Sequence, residues 1–455
     1  MISILHRRHK SALYRTAVIK LFYMNILNMV YFSQGENIME KEKTASPIEN
    51  DSVISPLQKN GENSPLATLG NKIRQPELDM MKGLAIIFVM LRHINEFTGV
   101  TTYGGVFGKI FCTFSEAIMI LFFLCSGYVY KSKGSILMDI GKKAKQLLIS
   151  LAIYLGVVAA VYFVRYVVVE GYSFAWYAEN MITCVFGVPG ESVIHPDSIA
   201  PNPFKYGVAP FWFLHQLFPA SCLFIIVRKV TEKKPMIVKA LSAFVLMLLA
   251  TVAVYFDFQH SIADFFASHV PYMLNIINII GIAGVLMIGS ILKDIKLFDI
   301  GAYPKRFVLP MAGVSLIIIA VLMANYSYPP YAFQLGAWGQ YGVFDIVITT
   351  LGGFCLTYFL AFCFYYAKKI KWLQKSLGWL GQNTLPLLML HCIIAETICY
   401  IGGFWHDVYH ETYPQEDFSM IHWAITVVAT FAIMGLIVFF INSIKKGKKK
   451  KTPTI

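Results

Sequence analysis

Apolar residues are concentrated in ten long runs that are separated by shorter polar connections. The runs lie at approximately 77–95, 110–130, 146–168, 208–227, 237–256, 270–292, 307–325, 342–367, 377–400 and 421–443. At a rise of 1.5 Å per residue, each run can cross the ~30 Å of bilayer hydrocarbon as a helix, given some tilt or polar ends. The pattern therefore predicts an all-α, polytopic membrane protein with about ten transmembrane helices in one bundle, and it makes the lipid bilayer a partner.

Lysine and arginine alternate along the chain in a way that tests this count. They cluster in the connections after every second run, at 131–145, 228–234, 293–306 and 368–375, and again in the C-terminal tail. Because short cytosolic loops of membrane proteins are enriched in positive charge, the alternation predicts that both termini are cytosolic. We expect a multi-pass protein of the plasma membrane.

The composition fits this class and excludes others. Hydrophobic residues make up 56% of the chain and charged residues only 14%, whereas a soluble domain has about a quarter of its residues charged. A net charge of +13 could suggest a nucleic-acid partner, but the charge lies in loops where it sets topology, so none is expected. The eight cysteines follow no zinc-ligand spacing, and no metal site is expected.

The ends of the chain differ from its apolar middle. Residues 1–75 are interpreted as a disordered or mis-started cytosolic tail, with translation expected to begin at Met39. The alternative for residues 1–38, which are basic and only partly apolar, is an interfacial amphipathic helix. Residues 76–443 are predicted to form the ten-helix transmembrane domain, and residues 444–455 a basic cytosolic tail.

The first run carries three polar groups that a bilayer core disfavours. Lys82 and His93 are eleven positions apart, so on a helix they lie within about 20° of each other and about 16 Å apart along the axis. Asp79 lies one turn before Lys82, on the same side. His93 is therefore a candidate catalytic base, and Lys82 and Asp79 are candidate donor-binding residues. The alternatives are a snorkelling Lys82, an interfacial His93 and an ion pair that only orders the helix.

The second run offers further candidates at both ends. Glu116 lies at a depth where it could meet His93 if the two helices are neighbours, and it is the second candidate catalytic residue. The alternative is that Glu116 pairs with another polar group in a wet cavity. Ser126 and Tyr128 lie near the depth of Lys82 and are candidate donor-binding residues, although Gly127 between them equally suggests close helix packing.

Three other residues are candidates for binding the acceptor substrate: Trp212 and His215 in the fourth run, and His391 in the ninth. An aromatic cluster such as that around Trp212 is also ordinary at a membrane interface. The long connection at 170–207 is rich in proline and glycine, which predicts that it has no regular element. It is interpreted as either a binding loop or a flexible insertion.

Four segments resemble, in order, the motifs of membrane acyltransferase family 3. They are D-x-x-K-G-L-A-x-x-x-V-x-x-x-H at Asp79 to His93, L-F-F-x-x-S-G-Y at Leu121 to Tyr128, F-W-F-L at Phe211 to Leu214, and L-G-x-N-T-L at Leu380 to Leu385 followed by Leu390-His391. In that family an arginine or lysine precedes a histidine with ten residues between, as Lys82 precedes His93. The resemblance covers roughly residues 74–440.

The resemblance implies an integral-membrane O-acyltransferase with an essential His93. It implies transfer from cytosolic acyl-CoA, by default acetyl-CoA, to a carbohydrate of the cell surface or one that is exported, with no permanently bound cofactor. His93 could act as a general base or carry the acyl group itself, and the sequence does not choose between them. The alternative function is a proton-coupled transporter or a flippase of a glycan precursor, because intramembrane Asp, Glu and His residues also suit a carrier.

Overall fold

The computed structural model describes residues 75–98, 105–132, 134–186, 204, 208, 211–255, 276–324, 345–402 and 420–450. Within these ranges every regular element is helical and there is no strand. The predicted N-terminal tail, apart from Gln75, and the last five residues of the predicted C-terminal tail lie outside the described residues.

Twelve α-helices make up this part of the chain. In order they are α1 (Pro76–Thr98), α2 (Gly105–Val129), α3 (Ile136–Tyr162), α4 (Phe174–Phe186), α5 (Trp212–Val230), α6 (Met236–Tyr255), α7 (Ile276–Asp294), α8 (Lys305–Ala324), α9 (Asp345–Ala367), α10 (Lys371–Gln382), α11 (Thr384–Gly402) and α12 (Met420–Lys450). A π-helix, Phe163–Val169, continues α3. Helix α4 lies in a predicted connection, α10 and α11 share the ninth predicted span, and every other helix overlaps one predicted span.

Eight helices of the described part are long and apolar enough to cross a membrane, with α3 and its π-helical continuation taken as one. Helix α1 is not among them, because Glu77, Asp79, Lys82 and Arg92 make it too highly charged. Helix α2 contributes a shorter apolar stretch, Ala117–Val129, to the described side chains. The prediction of an all-α, polytopic membrane protein is confirmed.

The ninth predicted span, 377–400, is wrong as a single helix. The chain breaks at Asn383, whose side-chain amide donates to the Trp379 carbonyl at 2.7 Å and so ends α10. Pro386 falls in the first turn of α11, where a proline is tolerated, whereas it would disrupt the interior of a continuous helix. A short helix therefore precedes the membrane-crossing helix that carries His391.

The prediction that residues 170–207 lack a regular element is also wrong over α4. The glycines and prolines of this connection, after Gly171, begin only at Gly187, so the apolar and aromatic residues before it can form a helix. The Ser173 hydroxyl caps α4 by accepting from the Trp176 backbone N–H at 3.2 Å. Tyr177 fastens α4 to α3, since its hydroxyl donates to the Ala159 carbonyl at 2.7 Å.

The basic connections meet at one end of the bundle, which we call the lysine-rich end. Its cross-links are Lys229 to the Gly134 carbonyl (2.5 Å), Arg228 to Asp294 (2.9 Å) and Lys368 to Glu77. Helix α9 also packs against the turn Ile300–Ala302 that follows α7. The starts or ends of α1, α2, α5, α7 and α9 therefore share one end, in agreement with the alternation of charge along the chain.

The described helices divide into a central and a peripheral group. In the most apolar 18-residue stretch of each helix, the buried share of residues is 67% in α7 and 61% in α11. It is 22% in α6 and α8 and 28% in α12. The peripheral helices expose large apolar side chains such as Ile237 and Val428, as expected for surfaces that face lipid. Helix α1 is central as well, because it packs against α2, α9, α10, α11 and α12.

Helices α2 and α7 approach each other closely through two reciprocal glycines. A Cβ atom on Gly127 would lie 2.0 Å from the Leu286 carbonyl oxygen, and one on Gly289 would lie 2.2 Å from that of Leu124. Neither position has room for any other side chain. The packing alternative for the Ser126-Gly127-Tyr128 motif is therefore supported, as far as Gly127 is concerned.

Candidate functional site

Helix α1 holds the first two candidate groups at a fixed separation. It is helical from Pro76 to Thr98, so Lys82 and His93 are about 16 Å apart along its axis and lie on one side. Asp79 and Lys82 form the expected ion pair, with Nζ to Oδ1 at 2.9 Å. This pair lies near the lysine-rich end, since Glu77 two residues earlier binds Lys368.

Helix α10 lies against this end of α1 with the two backbones in direct contact. A Cβ on Gly83 would be 2.0 Å from the Leu377 carbonyl oxygen, and one on Gly381 would be 1.7 Å from that of Asp79. Helix α10, whose second half was predicted to be part of the ninth span, therefore forms one wall of the region around the Asp79–Lys82 pair.

A cleft of about 410 Å³ opens between α1 and α10 at the lysine-rich end. It is lined by Pro76, Asp79, Lys371, Gln374, Lys375, Gly378, Trp379 and Gln382. Lys371 and Lys375 are exposed, and the Trp379 indole is half-buried. Ammonium groups bind phosphate as point charges and an indole face can stack on an aromatic base, so this cleft suits an anionic nucleotide.

At the other end of the site, two imidazoles from different helices come together. The rings of His93 on α1 and His391 on α11 have centroids 5.2 Å apart and are tilted by 49°. His93 is half-buried, while His391 is fully buried. His391 was predicted as a substrate-binding residue, and the structure places it against the predicted catalytic base.

The hydrogen bonds of His391 fix its tautomer. Its Nδ1 lies 2.8 Å from the Leu388 carbonyl oxygen and 3.1 Å from that of Leu387. Since a carbonyl oxygen can only accept, Nδ1 carries the proton and Nε2 of the neutral ring carries the lone pair. The ring is thus oriented by its own helix, with a basic nitrogen directed away from that backbone.

Cys392 completes a cluster that the sequence reading missed. Its sulfur lies 3.3 Å from His391 Nε2, and one atom each of His93, His391 and Cys392 lie within 4.8 Å of one another. In the sequence Cys392 is an isolated cysteine in an apolar run, and such a cysteine is usually a small core residue. The adjacent His391 and the packing of α11 on α1 are what bring its sulfur close to the two imidazoles.

A buried ion pair fixes α11 against α3 near this cluster. Glu396, 1% exposed, accepts from Arg165 Nη1 at 2.8 Å and from the Tyr162 hydroxyl at 2.5 Å. The Arg165 guanidinium also lies over the Tyr400 ring, 4.0 Å from its centroid. Glu396 is five residues from His391, about 7.5 Å along the helix. The network therefore sets the position of the helix that carries the second imidazole.

The other predicted site residues are not brought into this cluster by the contacts that the structure describes. The side chain of Glu116 lies outside the described residues, so its contact with His93 stays a prediction. Trp212 and His215 lie on α5, which packs mainly against α3 and α7, and His215 Nδ1 donates to the Phe211 carbonyl at 2.8 Å. Their role in acceptor binding also stays a prediction.

Ser126 and Tyr128 lie in the last turns of α2, toward the lysine-rich end. Tyr128 is buried and its ring packs on Phe298, with centroids 5.1 Å apart. Ser126 is half-buried beside Gly127. Both residues are therefore at the end of the bundle where the donor was predicted to bind, and their contribution to binding stays a prediction.

Comparison with known proteins identifies a family match that covers nearly all of the described helical bundle. A family model described as an acyltransferase domain, that of acyltransferase family 3, matches residues 75–442. No curated protein and no solved structure is significantly similar to the chain. The match spans α1 through most of α12 and includes the cleft, both imidazoles and Cys392.

Proposed function

The chain belongs to acyltransferase family 3, and from this premise we propose that it transfers an acyl group, by default acetyl, from acyl-CoA to a hydroxyl of a carbohydrate. The acceptor would be a polysaccharide or glycoside of the cell surface or one that is exported. The protein is a membrane acyltransferase; the donor, the acyl group and the acceptor are the proposal. We place it in the plasma membrane with its lysine-rich end and both termini in the cytosol.

The arrangement along α1 is the observation that carries the proposal. A lysine-lined cleft and the Asp79–Lys82 pair lie at one end of the helix, and His93 lies about 16 Å away at the other. The pantetheine arm of coenzyme A is of comparable length. Phosphates of the donor would bind Lys371 and Lys375, and the thioester would extend along α1 toward the imidazole.

His93 would act as the general base of the transfer. The acceptor hydroxyl gives its proton to the imidazole while its oxygen attacks the thioester carbonyl. The carbon–sulfur bond breaks, the ester forms, and the imidazolium returns the proton to the departing thiolate. His391 would hold His93 in place through the contact between the two rings. In the alternative route the imidazole attacks first, and an acyl-histidine passes the acyl group to the hydroxyl.

Membership of an acyltransferase family favours this chemistry over the transporter or flippase considered from the sequence. The imidazoles of α1 and α11 also contact each other inside the bundle, and Glu396 of α11 pairs with Arg165 in the π-helix that continues α3. Ion pairs and imidazoles of this kind occur in carriers as well, so the function needs a chemical test.

The test is acyl transfer by the purified protein in vesicles, supplied with acetyl-CoA, with release of free thiol and esterification of added glycan both measured. We expect His93→Ala and His93→Gln to abolish both signals while the protein inserts at normal levels. His422→Gln removes a half-buried imidazole from α12, outside the cluster, and should retain the wild-type rate. Normal esterification by the His93 variants, or substrate movement without thiol release by the wild type, would overturn the proposal.

A further inference from the structure

His93, His391 and Cys392 have a use beyond proton transfer, because the three are chemically suited to bind one metal ion. Each offers a nitrogen or sulfur ligand, and these atoms lie within 4.8 Å of one another. Two imidazoles and a thiolate form a ligand set that zinc and related divalent transition metals favour. With three protein ligands, a tetrahedral ion would keep one position open.

The distances are close to those that an ion would need. With bonds of ~2.0 Å to nitrogen and ~2.3 Å to sulfur, two tetrahedral ligands stand about 3.5 Å apart. The Cys392 sulfur and His391 Nε2 are already at 3.3 Å. The remaining pairs lie within 4.8 Å, so they need to close by at most about 1.5 Å, which side-chain rotation within the rotamer wells can supply.

The surroundings are also those of a metal site. His391 donates its Nδ1 proton to backbone carbonyls, which is the supporting bond that orients a metal-ligating imidazole and leaves Nε2 to the ion. Cys392 is fully buried in an apolar cluster with Ile94, Ala395 and Cys399. Half-buried His93 gives the ion a way in from outside this cluster.

We propose that His93, His391 and Cys392 bind one divalent transition-metal ion of the zinc class, and that the bound ion blocks acyl transfer. Binding takes the lone pairs of the two imidazoles and displaces the proton of the Cys392 thiol to solvent, with no change of oxidation state. The inhibitory part rests on the proposed function, because an ion on His93 occupies the nitrogen that would accept the hydroxyl proton. The binding part does not depend on it.

Cobalt(II) titration of the purified, chelator-treated protein in detergent tests the binding part. Wild type should bind one Co²⁺ with the intense absorption of tetrahedral coordination and a thiolate-to-cobalt charge-transfer band, both lost on addition of excess Zn²⁺. Cys392→Ser should lose the charge-transfer band, and His391→Asn should weaken binding at least ~10–100-fold, the cost of disturbing even a supporting group. Cys399→Ser is the matched control, since Cys399 is equally buried on the same helix.

A wild-type protein without the charge-transfer band, a band that persists in Cys392→Ser, or a band lost in Cys399→Ser would each overturn the site. In the second arm, Zn²⁺ should inhibit thiol release from acetyl-CoA reversibly, and Cys392→Ser should need at least ~10-fold more Zn²⁺ relative to its own zinc-free rate. Cobalt binding without any acyl transfer would uphold the metal site and reject the proposed function. Undiminished transfer with the site loaded would reject the inhibitory part.

Discussion

Replacing Gly381 with alanine should destabilise the protein through the contact between α1 and α10. The added methyl carbon would lie 1.7 Å from the Asp79 carbonyl oxygen, a backbone atom that cannot rotate away. An ordinary contact needs at least 3.4 Å, so the helices must separate by about 1.7 Å, more than enough to forfeit half of the dispersion energy between the facing atoms. Overpacking of this kind costs ~1–3 kcal/mol.

Gly378, one turn earlier on α10, provides the matched control. A Cβ there meets no atom within 4 Å, so Gly378→Ala carries only the gain of ~0.5–1 kcal/mol that alanine has over glycine inside a helix. Both variants replace a glycine of α10 with alanine at positions one turn apart. They differ in whether the added methyl group meets the backbone of α1. Their difference in stability should therefore be ~1.5–4 kcal/mol.

The assay is thermal unfolding of both variants in the same detergent. Unfolding is monitored as the fraction of protein that remains monodisperse after heating. We expect the order Gly378→Ala at or above wild type, and Gly381→Ala clearly below it. If Gly381→Ala unfolds at or above the temperature of Gly378→Ala, then the backbones of α1 and α10 are not in contact and the reasoning about the cleft between them is wrong.

Two further substitutions test the ion pair and the cleft. Glu396→Gln should cost ~3–5 kcal/mol in unfolding assays, because it leaves partly buried Arg165 without its closest carboxylate. Glu170→Gln, at the more exposed carboxylate of the same arginine, should cost below ~1 kcal/mol; equal losses would contradict the reading of Glu396 as the anchor. Lys375→Gln should raise the KM for acetyl-CoA about tenfold, equivalent to ~1.4 kcal/mol, with kcat unchanged. Lys369 is exposed and lies outside the cleft, so Lys369→Gln should leave the KM for acetyl-CoA unchanged. If KM rises in both lysine variants, the cleft does not bind the donor.

The helices were predictable because the length and hydropathy of an apolar run by themselves indicate a helix in the membrane. Length and hydropathy predicted where the spans lie, and the alternation of lysines assigned the connections to alternate ends of the bundle. The Asp79–Lys82 pair was also within reach, since residues three apart on a helix are neighbours. These inferences need only local geometry, and the structure shows helices over the predicted spans, with a break in the ninth, and the Asp79–Lys82 pair.

The missed features depend on contacts between distant parts of the chain. Nothing in the run that contains His391 indicates that α11 packs on α1, so its approach to His93 and the role of Cys392 could not be derived. Arg165 and Glu396 each lie in a predicted apolar run, but their pairing depends on how α3 and α11 are arranged. The break at Asn383 was hidden because hydropathy averages over a short amphipathic helix and the apolar helix after it.

The position of α1 at the centre of the bundle has a consequence for how the protein is made. Glu77 and Lys368, which meet in the finished fold, are 291 positions apart, so at ~5–20 residues per second the ribosome needs ~15–60 s to supply the second after the first. During that interval the charged helix α1 must remain in the bilayer without the wall formed by α10. The bond between Asp79 and Lys82 requires only one turn of helix, so it can neutralise both charges as soon as that turn has emerged and keep the nascent segment in place until its later partners arrive.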